Sequence, residues 1–184
     1  MREAAMATLE DPFGKVRPKL VAARTEFLAE LARFQAAELE RRPSPEDWSA
    51  LEVAYHLYVV DGLTLQEMRR VQEEDNPELP ALETEGPRVT RETARDLSLD
   101  AVLAGMAARR EEILQFLAEL PPAAWERPCH HHAWGALKFY QLVNVLAQHD
   151  RQHARQLVEI RERLRPSGSG TSPAASANSS LSSS

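Results

Sequence analysis

The sequence predicts an all-α fold, a four-helix bundle, and three observations carry that prediction. Four long stretches repeat apolar residues at three- and four-residue spacing, the period of one helix face. Proline- and glycine-bearing turn chemistry separates them. No segment sustains the alternation of a half-buried strand, so the helices have only each other to pack against.

The first helix is expected from about Lys15 to Glu40, with Leu20, Ala23, Phe27, Leu31 and Phe34 on one face. The prolines of "RRPSPEDW" end it, and Ser44 or Asp47 is placed to cap the second helix. That helix runs from about Ser49 to Glu74, with Val53, Leu57, Val60 and Leu63 marking its buried stripe. Gly62 interrupts it, either as a weakness of ~1 kcal/mol or as a point of close helix contact. The next connection, "DNPELPALETEGPRVTRETARDL", holds three prolines and a glycine. The third helix, about Ser98 to Leu120, presents Val102, Met106, Ile113 and Leu117 and stops before "PP". The link "PPAAWERPCHHHAWGA" leads to the fourth, about Leu137 to Leu164. Antiparallel neighbours are usually joined by short loops, so the long second connection predicts a crossover there.

The bundle domain is expected over residues 1–165. The rest, "PSGSGTSPAASANSSLSSS", is nearly uncharged and poor in large apolar residues, and residues 166–184 therefore read as a disordered tail. A chain of 184 residues is long enough for one core without staples. The single cysteine, Cys129, excludes an internal disulfide framework and suits a reducing compartment. A net charge of −6 is no footprint for nucleic acid. No apolar run approaches the ~18 residues of a membrane span, and the N-terminus lacks the apolar centre of a signal peptide. The expectation is a soluble cytoplasmic protein that binds neither nucleic acid nor membrane; a homodimer is left open.

The chemistry concentrates in "AQHDRQHARQ", where His149 and His153 stand one helical turn apart. Six histidines produce that spacing by chance roughly one time in six, so spacing alone decides little. Their face decides more. The apolar stripe of Leu142, Val145, Leu146, Leu157, Ile160 and Leu164 has a gap that the two histidines fill, while Gln148, Arg151, Gln152, Arg155 and Glu159 take the other side. His56 falls in the stripe of the second helix. A lone histidine in such a place is ordinarily a hydrogen-bonded core residue. Three are harder to satisfy, since each buried polar group left unpaired costs ~1–3 kcal/mol. A shared divalent cation satisfies all three and leaves coordination positions open, the arrangement of a catalytic site. Elsewhere, "CHHH" (residues 129–132) reads as a solvated loop cluster that could rim the mouth of such a site, with one histidine meeting substrate. Cys129 has no evident base to activate it. Trp48, Trp125 and Trp134 read as packing at the bundle ends. Asp150 points about 100° away from the histidine face and reaches it only through outer contacts.

"DWSALEVAYHLYVVD" followed far downstream by "HDRQHARQL" resembles the DinB-like superfamily of metal-dependent enzymes. The resemblance covers about residues 15–163. It includes Trp48-Ser49 before the second helix, Asp61 after its histidine, and Trp134-Gly135 before the fourth. It implies an up-down-down-up bundle and a metal triad at His56, His149 and His153. It further implies a divalent ion, with Zn²⁺ or Ni²⁺ ahead of Mn²⁺ or Fe²⁺. The activity it implies is transfer of a low-molecular-weight thiol such as bacillithiol or mycothiol, or hydrolysis, on a small-molecule substrate. The alternative is a non-catalytic metal-binding or stress-response interaction protein.

Overall fold

The computed structural model describes residues 11–80 and 98–165. The tail expected at 166–184 and most of the second connection lie outside those residues. Four helices dominate: α1 (Pro12–Leu31), α2 (Ala50–Glu73), α3 (Leu99–Ala118) and α4 (Phe139–Leu164). Asp11 caps α1 by accepting the Gly14 N–H, with Pro12 in the first turn where its missing N–H costs nothing. The helix stops at Leu31, short of the expected Glu40. The chain then passes through a single 3₁₀ turn, Ala36–Glu38, with Phe34 still buried.

The cap of α2 is Ser49, in a reciprocal capping box with Glu52. Ser44 and Asp47, expected as caps, are used otherwise: Ser44 donates to Glu46, and Asp47 pairs with Arg163 of α4. The close helix contact falls at Gly105 of α3, where a Cβ would meet the Tyr58 ring at 2.9 Å; at Gly62 it would meet only the Arg109 side chain, at ordinary distance.

Pairings between helices give their directions. Arg24 of α1 meets Asp150 of α4, and Glu30 meets Arg161 farther along both, so α1 and α4 are parallel. Tyr58 meets Gly105 and Arg69 meets Glu112, so α2 and α3 are parallel. His56 meets His149 while Asp47 meets Arg163, so α2 and α4 are antiparallel. The topology is up-down-down-up, with the crossover between α2 and α3.

One element departs from the all-helical expectation. A small sheet of β1 (Glu78–Leu79), β2 (Pro128–His131) and β3 (Gly135–Lys138) is ordered β1-β2-β3, its first pair parallel and its second antiparallel. The hairpin turns at Gly135, whose φ of 70° favours a residue without Cβ. "CHHH" is therefore a strand and its end, not a solvated loop, and Leu137 belongs to β3, not to the fourth helix. Strands of four residues show too few alternations to be read from sequence.

The core has two apolar halves. One gathers Leu20, Leu65, Ile113 and Leu142; the other gathers Phe27, Leu57, Met106 and Leu157. Between them each helix contributes one charged residue: Arg24, Asp61, Arg110 and Asp150, none more than 7% exposed. The arginines bridge both carboxylates at 2.9–3.1 Å. Burial pushes the Asp61 carboxyl up, against the pull of Arg110 and Arg24.

Candidate metal centre

Beside this charged layer the antiparallel pair α2 and α4 brings His56, His149 and His153 together. The four-residue spacing on α4 stacks two rings over a rise of about 6 Å, and His56 faces them from α2. The candidate ligand nitrogens all lie within 4.8 Å of one another. His149 Nε2 is 3.0 Å from His153 Nε2 and 3.3 Å from His56 Nε2. His153 is buried; His56 and His149 are half-buried at the wall of a cavity of about 1240 Å³.

Neutral imidazoles alone satisfy this arrangement poorly. His149 Nε2 has either one proton or one lone pair, so it can hydrogen-bond to one neighbour and not to both. Protonating a ring is disfavoured: burial lowers the pKa of His56 to about 4 and of His149 to about 3, with His153 adding to both shifts and His56 to the second. Burial lowers His153 as well, opposed by its Gln156 partner and by Asp150. The donor set instead fits a cation. Two nitrogens each ~2.0–2.1 Å from a tetrahedral zinc lie about 3.3 Å apart, close to the 3.0 and 3.3 Å that separate His149 Nε2 from the other two. Gln156 Oε1, 2.7 Å from His153 Nδ1, takes that N–H and turns Nε2 toward the other rings. Trp48 meets the His56 ring edge-on at 5.0 Å.

All three histidines picked from the sequence thus converge. Asp150 stays outside the cluster, as its angle requires, because both its oxygens accept from Arg24 and Arg110. Those two arginines were not singled out from the sequence. The signal was there: Arg24 sits four residues after Leu20 and three before Phe27, and Arg110 likewise between Met106 and Ile113, inside otherwise apolar stripes.

The cavity also holds residues outside the triad, among them His131 of the cluster expected to rim such a site. His131 is 1% exposed, faces it from β2, and stacks on Trp134 at 3.9 Å. Thr64 and Glu67 of α2 line it, both buried. Of the three tryptophans expected as end packing, only Trp125 is core, against Phe139; Trp48 and Trp134 line the cavity. Cys129 is buried, and burial with the Glu67 charge raises its thiol pKa, the reverse of activation. Among the described residues no helix is long and apolar enough to cross a membrane.

Comparison with known proteins agrees with this architecture. The chain is 29% identical over 154 residues to the uncharacterized protein YuaE of Bacillus subtilis, covering 77% of this chain and 94% of that one. Its fold is similar to that of YfiT from Bacillus subtilis, described as "a probable metal-dependent hydrolase with an unusual four-helix bundle topology" (TM-score 0.69, 12% identity, 89% and 92% of the two chains). It is also similar to TT2238, a four-helix bundle protein (TM-score 0.59, 23% identity, 80% and 98%). The model of the DinB superfamily matches residues 19–157, which take in all three histidines and the charged layer, and the chain belongs to that superfamily.

Proposed function

We propose that this protein is a divalent-metal-dependent enzyme that joins a low-molecular-weight thiol to a small electrophile. The observation that carries the reading is the convergence of three neutral imidazole nitrogens on the wall of a large cavity. His56, His149 and His153 would hold the ion, with Zn²⁺ or Ni²⁺ suited to an all-nitrogen set. Such an ion supplies Lewis-acid chemistry, lowering the pKa of a thiol or water or polarising a carbonyl.

The chain's own residues favour the thiol as nucleophile. Hydrolytic zinc sites commonly add a carboxylate general base beside the ligands. Here the neighbouring carboxylate, Asp150, is held by two arginines, and Glu67 lies eleven residues along α2 from His56, about 16 Å of rise. A thiol, with a pKa near 8.5, needs no such base. In the transfer, the sulfur attacks an electrophilic carbon, the new C–S bond forms as the carbon–halide bond breaks, and the thiol proton passes to solvent. Trp48 and the apolar wall of Val60, Val145 and Leu146 position the electrophile and limit water.

Hydrolysis is the second reading, favoured by the description of YfiT. A non-catalytic metal-binding protein is the third. Zinc- or nickel-loaded protein should accelerate thioether formation between a small thiol and a chlorodinitrobenzene, and His153→Ala should abolish that. Turnover of an activated ester without thiol would favour hydrolysis. Metal uptake with neither activity would leave the non-catalytic reading.

A further inference from the structure

His131 is a buried histidine that the metal cluster does not use. Its Nδ1 accepts the Ala133 N–H at 3.1 Å, so the neutral ring carries its proton on Nε2. Burial and the neighbouring His132 and His130 lower its pKa and keep it neutral. Nε2 is buried, yet it donates to nothing among the described residues. The Thr64 hydroxyl of α2 is also buried with no partner among the described residues. Both residues line the cavity that holds the triad. Stacking on Trp134 fixes the imidazole plane, so its donor direction is set before any ligand arrives.

The cavity thus has two chemical ends. Along α2 it runs from His56 past Val60 to Thr64 and Glu67, eight and eleven residues on, about 12 and 16 Å of rise. His131 lies toward the second group: Arg127, just before β2, donates to the Val71 and Glu74 carbonyls at that end of α2. Apolar side chains, among them Val60, Leu142 and Leu146, lie along the wall. The volume exceeds the ~300–1,000 Å³ usual for a small-ligand site, leaving room for an elongated molecule.

We propose that His131 and Thr64 form a recognition point for an uncharged hydrogen-bonding group, an amide or alcohol, on the tail of an elongated substrate whose reacting end lies at His56, His149 and His153. The Nε2–H donates to the carbonyl or hydroxyl oxygen of that tail, and the Thr64 hydroxyl takes part as donor or acceptor. Two neutral partners offset the desolvation of a carboxylate less well than that of an amide or alcohol, so a carboxylate tail is disfavoured there. The substrate class rests on the metal-centre reading above; the recognition point itself does not.

The test uses the full chain with hexanamide, an apolar chain ending in an amide, and hexanoate, its anionic counterpart. Long-range ¹H–¹⁵N spectra of the imidazoles report directly on His131, assigned by its loss in His131→Phe or, independently, in His131→Gln. Hexanamide should shift the His131 ring signals saturably, and hexanoate should bind at least tenfold more weakly. His131→Phe should weaken hexanamide at least tenfold, and Thr64→Val at least threefold. Thr64→Val and the wild-type ring signals keep the test decisive should His131→Phe fail to fold. Ring signals indifferent to hexanamide, as for an N–H satisfied by buried water, or equal binding of amide and acid, would overturn the proposal. Spectra with zinc and after chelation separate the two readings: a His131 response in protein that takes up no zinc defeats the metal centre alone, and a silent His131 in zinc-loaded protein defeats this inference alone.

Discussion

Asp150→Asn tests the charged layer that supports the site. The Asp150 carboxylate is 1% exposed and accepts from Arg24 at 2.9 and 3.1 Å and from Arg110 at 3.0 and 3.3 Å. Two guanidiniums there balance two carboxylates. Asparagine keeps the volume but removes one negative charge, leaving both arginines against Asp61 alone. Breaking a buried pair in this way costs about 3–5 kcal/mol. For a chain of this size each kcal/mol moves Tm by roughly 2–4 °C, so a fall of about 6–20 °C is expected. Urea unfolding in the presence of a chelator isolates the effect from metal loss, and the midpoint should drop with the slope unchanged. The paired replacement Arg110→Met with Asp150→Leu should be milder than Asp150→Asn, because it removes opposite charges together and abolishes buried Arg110 donors that have no partner among the described residues. A loss under about 1 kcal/mol for Asp150→Asn, or a double variant worse than the single, would refute a desolvated, mutually dependent charge layer.

Three further outcomes rest on the same geometry. A chelator should lower the melting temperature of zinc-loaded protein, because metal that binds only the folded state stabilises it; His153→Ala should lose that sensitivity while the exposed His132→Ala keeps it. In metal-free protein, folding holds His56 and His149 below their ordinary 6.5, at about 4 and about 3. The unfolded chain therefore takes up protons first as pH falls, so stability is complete above about pH 6.5 and declines toward pH 4 and 3. Urea midpoints measured across that range should fall less steeply for His149→Leu than for wild type, and parallel profiles would count against buried neutral imidazoles. Ser49→Ala removes the side-chain acceptor of the α2 cap and should cost about 1 kcal/mol, measured by chemical denaturation.

The parts legible in the sequence are those set by local periodicity. The apolar stripes of α1, α3 and α4 place Leu20, Phe27, Val102, Ile113, Leu142 and Leu157 in the core, and the gap in the last stripe locates His149 and His153. The α2 stripe is less faithful. Leu63 is half-buried, and the inward face turns through Asp61, Thr64 and Leu65, because that helix serves the charged layer and the cavity wall as well as the core. The features that stayed hidden depend on distant pairing. The inward alternation of Cys129 and His131 spans one four-residue strand, and its partners arrive from β1 and β3. Arg24 and Arg110 look like anomalies in apolar stripes until α2 and α4 supply Asp61 and Asp150.

The proposed function requires one metal ion per chain at His56, His149 and His153. Protein made without a histidine tag, dialysed against zinc and then against metal-free buffer, can be assayed for metal and protein together. Wild type should hold one zinc per chain, falling more steeply than a one-proton titration as acid protonates the ligands, and a variant with all three histidines replaced by alanine should hold close to none. A ratio near zero with zinc, nickel and manganese each supplied, or one ion retained in the triple variant, would contradict it.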